Sequence, residues 1–395
     1  MRSYLASIIV AIPALLLLSG NVRLFMADYN HRMAWILIAS GDLEESSGYA
    51  RKAVSLLEER ADYHRTLGNI HYLVSRESRS WKSDLLAARK SYLECSALDS
   101  YYPYCPYELA LTLSALRKRG YEKVEDPDRY FEEALRIDPN NPRFLSGALH
   151  WNILQRDRDR SKRLFARLCL VRPDMIPIYG PGVLRTETDL NWFGKVIGAN
   201  PALNLEFSRY LLDRGNKDAA LSRIKLIPEE AKTSPRMAYE IRDLLVALGQ
   251  KDEARRLLEE ARKKAPAGSR MYLDIKIAEL YLQVDNEKAL EVYKRALREN
   301  PDKRQILFYV AKTARRLGKY DEAKRAYEEM LYSAGATRKN KIDTYLEMAD
   351  MYMESGRPDK ALESYTEALM LDPDNSELID AVKRTKQEIG ILPPP

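Results

Sequence analysis

The chain has 395 residues, a formal net charge of +6 with 31% charged residues, and sparse glycine. The basic excess is small against the total charge, and no stretch interleaves basic residues with aromatic stacking platforms, which argues against nucleic-acid binding. Three cysteines without a CxxC pair give no support to a zinc or thioredoxin-like site, and no cofactor or metal is expected.

Residues 3–22 carry no charge, and Tyr4 to Leu18 is almost wholly apolar. About 20 apolar residues span a bilayer core, and a membrane helix tolerates a proline such as Pro13. A cleaved signal peptide needs small residues at −3 and −1. A cut after Gly20 puts Leu18 at −3, and a cut after Ser19 puts Leu17 there. A lipoprotein needs Cys after LLSG, where this chain has Asn21. The segment 1–26 therefore reads as an uncleaved transmembrane anchor, with a cleaved signal or a buried core helix as alternatives. The expected topology is a cytoplasmic N-terminus and a single pass through the inner membrane. The rest of the chain would then be periplasmic, although Arg23 and Arg32 on the far side keep the charge bias thin.

Residues 27–175 show a weak helical period. A first degenerate unit surrounds Trp35 and Gly41, and a second surrounds Leu67–Gly68 and Tyr92, with extra residues (LVSRESRSWKSD) between its helices. Pro139 and Pro173, 34 residues apart, close two further units. Cys95 falls at a small-residue core position and Cys169 lies beside Phe165. Both read as buried free thiols, although an oxidising compartment would allow Cys95–Cys105 to bridge the YYPYC loop. From 176 to 200 the pattern fails at Pro177, Gly180, Pro181, Gly182, Gly194 and Gly198, so an irregular connector is expected. Its Tyr179 and Trp192 are a secondary candidate contact site, or else patch the joint between stacks.

Residues 201–375 are the most regular. Ala254, Ala289, Ala323 and Ala361 are spaced by 35, 34 and 38 residues. Four residues after each comes Leu258, Tyr293, Tyr327 or Tyr365, and three further on Ala261, Ala296, Met330 or Ala368. Pro266, Pro301 and Pro373 close three of these units. Small residues let two helices approach, the aromatic fills the gap to the next pair, and proline ends the unit. Residues 376–395 read as a capping helix, with Leu378, Ile379 and Val382 on one face, and a short Pro tail.

These positions resemble the tetratricopeptide repeat (TPR) family, most fully in IDTYLEMADMYMESGRPDKALESYTEALMLDPDN, residues 342–375. The resemblance implies an all-α, right-handed superhelical solenoid of about eight helix-turn-helix units after the transmembrane helix. It also implies that first helices line a concave face that binds proteins. Carried over unit by unit, it points to Arg143, His150, Arg209, Tyr239, Asp243, Phe308, Lys312, Arg315, Leu346 and Asp350. One subclass grips a C-terminal carboxylate with Lys/Arg and Asn; Arg65 and Asn69 match one unit's share, and neighbouring units do not complete it.

No nucleophile–base motif or HExxH appears, and the acid pairs Glu44–Glu45, Glu132–Glu133 and Glu328–Glu329 sit on amphipathic exteriors, so no enzyme activity is expected. The expected role is a membrane-anchored adaptor that binds integral membrane or envelope proteins in a bacterial cell-envelope assembly machine. The layout, with FGKVIGANPALNLEFSRYLLDRGNKDAALS, resembles TPR regions that accompany O-antigen polymerases and ligases, so surface polysaccharide assembly ranks first. Cytochrome, pilus or outer-membrane protein biogenesis, or a non-catalytic subunit of a membrane enzyme, is the alternative.

Overall fold

Helix starts in this chain are written in local chemistry. Asp126, Asn141 and Asn200 each accept a hydrogen bond from a free first-turn amide, and each is followed by a proline whose missing N–H costs nothing there. Within the helices, apolar residues recur every three or four positions, so each must bury a stripe against a neighbour.

The computed structural model describes the backbone of residues 2–300, 303–333 and 335–392, and side chains from residue 20 onward within those ranges. It is all-helical, with no strand among the described residues. It divides into two compact units, Met1–Ile197 and Gly198–Pro395.

The first unit runs through α1 (Arg2–Ser40), α2 (Leu43–Leu56), α3 (Ala61–Val74), α4 (Trp81–Leu98), α5 (Tyr104–Lys118), α6 (Pro127–Ile137), α7 (Pro142–Gln155) and α8 (Arg158–Val171). It ends with α9 (Ile176–Val183) and α10 (Glu187–Ile197). The second runs through α11 (Pro201–Asp213), α12 (Lys217–Lys225), the short α13 (Glu229–Lys232), α14 (Pro235–Ala247), α15 (Lys251–Lys264), α16 (Ala267–Tyr281) and α17 (Asn286–Glu299). Then come α18 (Arg304–Arg316), α19 (Tyr320–Tyr332), α20 (Arg338–Glu354), α21 (Pro358–Leu371) and α22 (Ser376–Glu388).

Consecutive helices pack as pairs, from α1 with α2 to α20 with α21, and within each unit each pair packs on the next. First helices of successive pairs also touch one another: α1, α3, α5 and α7 in the first unit, and α11, α14 and α16 in the second. These first helices therefore lie side by side within their unit. Nine such pairs are present among the described residues, against about eight expected.

The repeating positions do what their chemistry requires. Ala254, Ala289, Ala323 and Ala361 have no exposed surface, nor do Leu258, Tyr293 and Tyr327. Tyr365, the last of the series, is only partly buried. Gly318 and Gly356, in the turns inside two pairs, have φ of 70° and 71°, which a side chain resists. In the first unit the Tyr92 ring lies on Gly68 so closely that a Cβ there would sit 2.6 Å from it.

The structure departs from the sequence reading at three places. Residues 176–197 form α9 and α10, not an irregular connector. Pro177 occupies the first turn, where no intrahelical amide bond is lost, Pro181 lies inside the short α9 and forgoes one, and the glycines end or pack helices without breaking them. On α22, Leu378, Val382 and Thr385 are buried and Ile379 is exposed, as the i, i+4, i+7 spacing dictates. Cys95 is not a free thiol: it is bonded to Cys105, with Cα atoms 5.9 Å apart, and clips the end of α4 to the start of α5. Cys169 is free and buried, and burial pushes its thiol well above the ordinary range.

The anchor reading at 3–22 rests on side chains of which residues 3–19 lie outside those described. Among the described residues no helix is long and apolar enough to cross a membrane. Pro301 and the tail at 393–395 also lie outside them.

Tyr293 is fully buried, stacks on Tyr309 with ring centroids 5.1 Å apart, and its hydroxyl has no hydrogen-bond partner. Tyr293→Ala should cost about 3–5 kcal/mol and Ala289→Leu about 1–3 kcal/mol in urea unfolding. Tyr293→Phe should be neutral or stabilising, because it removes an unsatisfied polar group. An unchanged unfolding midpoint for Tyr293→Ala would show that the aromatic is not what joins the pairs.

Candidate functional site

Stacked helix pairs present open faces, and catalysis needs groups converging in a closed pocket. The acid pairs Glu44–Glu45, Glu132–Glu133 and Glu328–Glu329 are exposed or half-exposed on helix surfaces. Among the described residues no group of three or more His, Cys, Asp or Glu could hold a metal ion.

All ten residues expected on the concave face lie on first helices of pairs, but the structure gives them different states. Phe308, Leu346 and Asp350 share one groove between α18 and α20, of about 620 Å³. Phe308 and Leu346 are half-buried, and Lys312 places its ammonium 5.2 Å from the Phe308 ring centre. Arg304 and Asp343 also line this groove, and the sequence reading did not single them out. Arg304 is a strut: it donates to the carbonyls of Met330 at 2.7 Å and Asn340 at 2.5 Å, tying α18 to α19 and α20. Asp343 and Asp350, three before and four after Leu346, have the spacing of one helix face, a signal that could have found Asp343.

Arg315 is not a free cation. It donates two hydrogen bonds of 2.6 Å to Glu354 and one of 3.1 Å to Glu347, and only 16% of its side chain is exposed. The hydrogen bonds to Glu354 lead the effects that hold its guanidinium above the usual range. On α14, Tyr239 is 40% exposed between Arg242 at 5.1 Å and Lys276 at 5.6 Å. Asp243 pairs with Arg242, and Arg209 on α11 pairs with Glu206 and Glu240.

In the first unit, Arg143 lies over the Tyr107 ring and reaches toward Glu108 at 3.6 Å. His150 is exposed. The pair that matched a carboxylate clamp is already engaged within the chain. Arg65 grips Glu108 with two hydrogen bonds of 2.8 and 3.1 Å, and the Tyr92 hydroxyl donates to Asn69 at 2.8 Å. Glu108 was invisible to the sequence reading because an acid inside a helix reads as surface.

Tyr179 and Trp192 are both half-buried, on α9 and α10. Trp192 sits beside Phe193 and under the Lys162 ammonium at 5.1 Å. Lys162 also reaches Asp189, whose carboxylate is fully buried and collects Arg158 at 2.7 Å, the Thr186 hydroxyl at 2.9 Å and two backbone amides. Trp192 thus walls a structural ion cluster that fastens α10 to α8.

Tetratricopeptide-repeat models match residues 342–375, 278–338 and 243–260. The chain is 26% identical over 152 residues to an Hsp70-Hsp90 organizing protein of Triticum aestivum, covering 35% of this chain. It spans a quarter of that relative's length, 25%. Among solved structures it is similar to YrrB, a TPR protein with an unusual peptide-binding site, at 18% identity. That match covers 49% of this chain and 97% of YrrB with a TM-score of 0.34. A thermophilic TPR protein of Thermus thermophilus matches at 22% identity, over 47% of this chain and 98% of its own, with a TM-score of 0.29.

The Asp189 cluster sets a pH dependence. Burial pushes its carboxyl upward, but the hydrogen bonds from Lys162, Arg158 and Thr186 outweigh it and hold the group well below the usual carboxylate range. A depressed pKa contributes stability that is complete above the unfolded carboxylate pKa of about 3.9 and is lost as pH falls below it. Hydrogen-exchange protection factors at the start of α10 should therefore fall below about pH 4, and Asp189→Asn should weaken protection at neutral pH and flatten that dependence. An identical acid response in the variant would assign it to other carboxylates.

Proposed function

The chain carries tetratricopeptide repeats in its C-terminal half, and from that premise we propose that it is a membrane-anchored adaptor. Its partners are integral membrane or envelope proteins, held in the faces lined by first helices. The groove between α18 and α20 carries this reading. Its large apolar side chains, Phe308 and Leu346, remain half-open to solvent although the repeat positions Ala311, Ala323, Tyr327 and Ala349 around them are buried. Tyr239 adds a second exposed aromatic on the same series of helices. Interface energy usually concentrates in a few such residues.

The compartment has two supports. The apolar run at 3–22 is long enough to hold the chain in a membrane. The Cys95–Cys105 bond is stable where glutathione does not reduce it, as in a periplasm. A periplasmic repeat region on a single inner-membrane span suits an envelope assembly machine. Among these, surface polysaccharide assembly of the O-antigen type ranks first on layout, with other envelope assembly factors behind it. A chaperone-organising role is less favoured, since Arg65 and Asn69 are occupied inside the chain.

Capture of membrane partners tests the reading. Tyr239→Ala, Phe308→Ala and Leu346→Ala together should abolish co-purification of the parent's partners with unchanged helical circular dichroism, whereas Lys324→Ala and Glu363→Ala should change nothing. Full capture by the triple variant would move the site elsewhere.

The topology has its own test. Intact mass should find Met1–Gly20 retained, and an enzymatic reporter active only outside the cytoplasm should work when fused after Pro395. A mature chain starting at Asn21, or an inactive reporter, contradicts the anchor or its orientation.

A further inference from the structure

We propose that the groove between α18 and α20 takes a basic amphipathic helix. One large apolar side chain of that helix would rest on Phe308 and Leu346, with a Lys or Arg on either side facing Asp343 and Asp350. This inference rests on the reading of that groove as a partner site and adds the partner's chemistry.

The charges divide into spent and unspent. Arg304 gives its N–H groups to Met330, Asn340 and Thr344, and Glu347 is paired with Arg315. Lys312 is turned onto the Phe308 ring. Asp343 and Asp350 are both exposed, Asp343 near the Arg304 guanidinium and Asp350 accepting a long 3.3 Å hydrogen bond from the Tyr365 hydroxyl. Two available carboxylates therefore flank a floor made of Phe308, Leu346 and Met330.

Spacing chooses the ligand's conformation. Asp343 and Asp350 are seven residues apart on α20, roughly 10.5 Å along a helix axis, with Leu346 between them. A second helix laid along α20 has the same rise. It can place cations at i and i+7 and its apolar anchor at i+3 or i+4, the pattern of helix-in-groove recognition. An extended strand rises about 3.3 Å per residue and alternates sides, so cations matching that span fall on opposite faces.

Three labelled synthetic peptides of roughly 18 residues, long enough to form helix, test this on the full chain by fluorescence anisotropy. They share a Leu anchor and differ only in Lys, Gln or Glu at the two flanking positions. The Lys peptide should bind about tenfold tighter than the Gln peptide, with Glu weakest and the gap narrowing in salt. The double variant Asp343→Lys, Asp350→Lys should reverse that order, a gain that a misfolded protein cannot produce. Equal affinities, an unreversed order, or no binding of the Lys peptide overturns the inference. If all three bind equally and Phe308→Ala abolishes them, the groove stands as a partner site and only the charge preference falls. If Phe308→Ala leaves their binding unchanged, the underlying groove reading falls with it.

Discussion

The contact between a small residue and a neighbouring helix backbone is what the second unit depends on. Ala254, Ala289, Ala323 and Ala361 are fully buried where two helices of a pair meet. Their lack of a side chain beyond Cβ sets the approach distance. The gap that this leaves toward the next pair is filled by Leu258, Tyr293 or Tyr327, also fully buried. One continuous cluster of buried residues results, from Leu205 to Ala361. The open faces follow from the same geometry: side chains on the far side of each first helix have no helix to cover them. Tyr239, Phe308 and Leu346 keep part of their surface open because the stacking that builds the core covers them only in part.

Charge supplies a second layer of order. Asp274 on α16 is fully buried, with Arg262 of α15 at 2.6 Å and Arg295 of α17 at 2.5 Å, so one carboxylate braces three consecutive helices. In the first unit Arg65 with Glu108 ties α3 to α5, and Asp189 with Arg158 and Lys162 ties α10 to α8. Breaking such a buried pair leaves an uncompensated charge and is costly. These braces explain why several cations expected to meet a partner, Arg315 above all, are already committed to the fold.

Much of the fold was legible because repetition makes weak signals add. Alanine and a large apolar residue at fixed offsets over four units, with a closing proline in three, left one architecture, and Gly68 beneath Tyr92 shows the same packing in a degenerate unit. The stretch 176–197 was not legible, since proline and glycine counts do not reveal whether a Pro falls in a first turn. The candidate site was legible as positions and not as states. Helix register placed Phe308, Leu346 and Asp350 on one groove, while the engagement of Arg65, Arg209 and Arg315 depends on acids from helices 31 to 43 residues away. Asp343 shows the converse: an unremarkable surface acid until α18 is set beside it.

The central claim is that partners sit in the faces lined by first helices of the second unit and not on the outer surfaces of the second helices. Site-specific photocrosslinking in native membranes tests it most directly, with a photoreactive residue placed in turn at 308, 346, 324 and 363. The account predicts the same protein adducts, identified by mass spectrometry, from 308 and 346, and none from 324 or 363. Adducts from the second-helix positions alone, or equal adducts from all four, would contradict it.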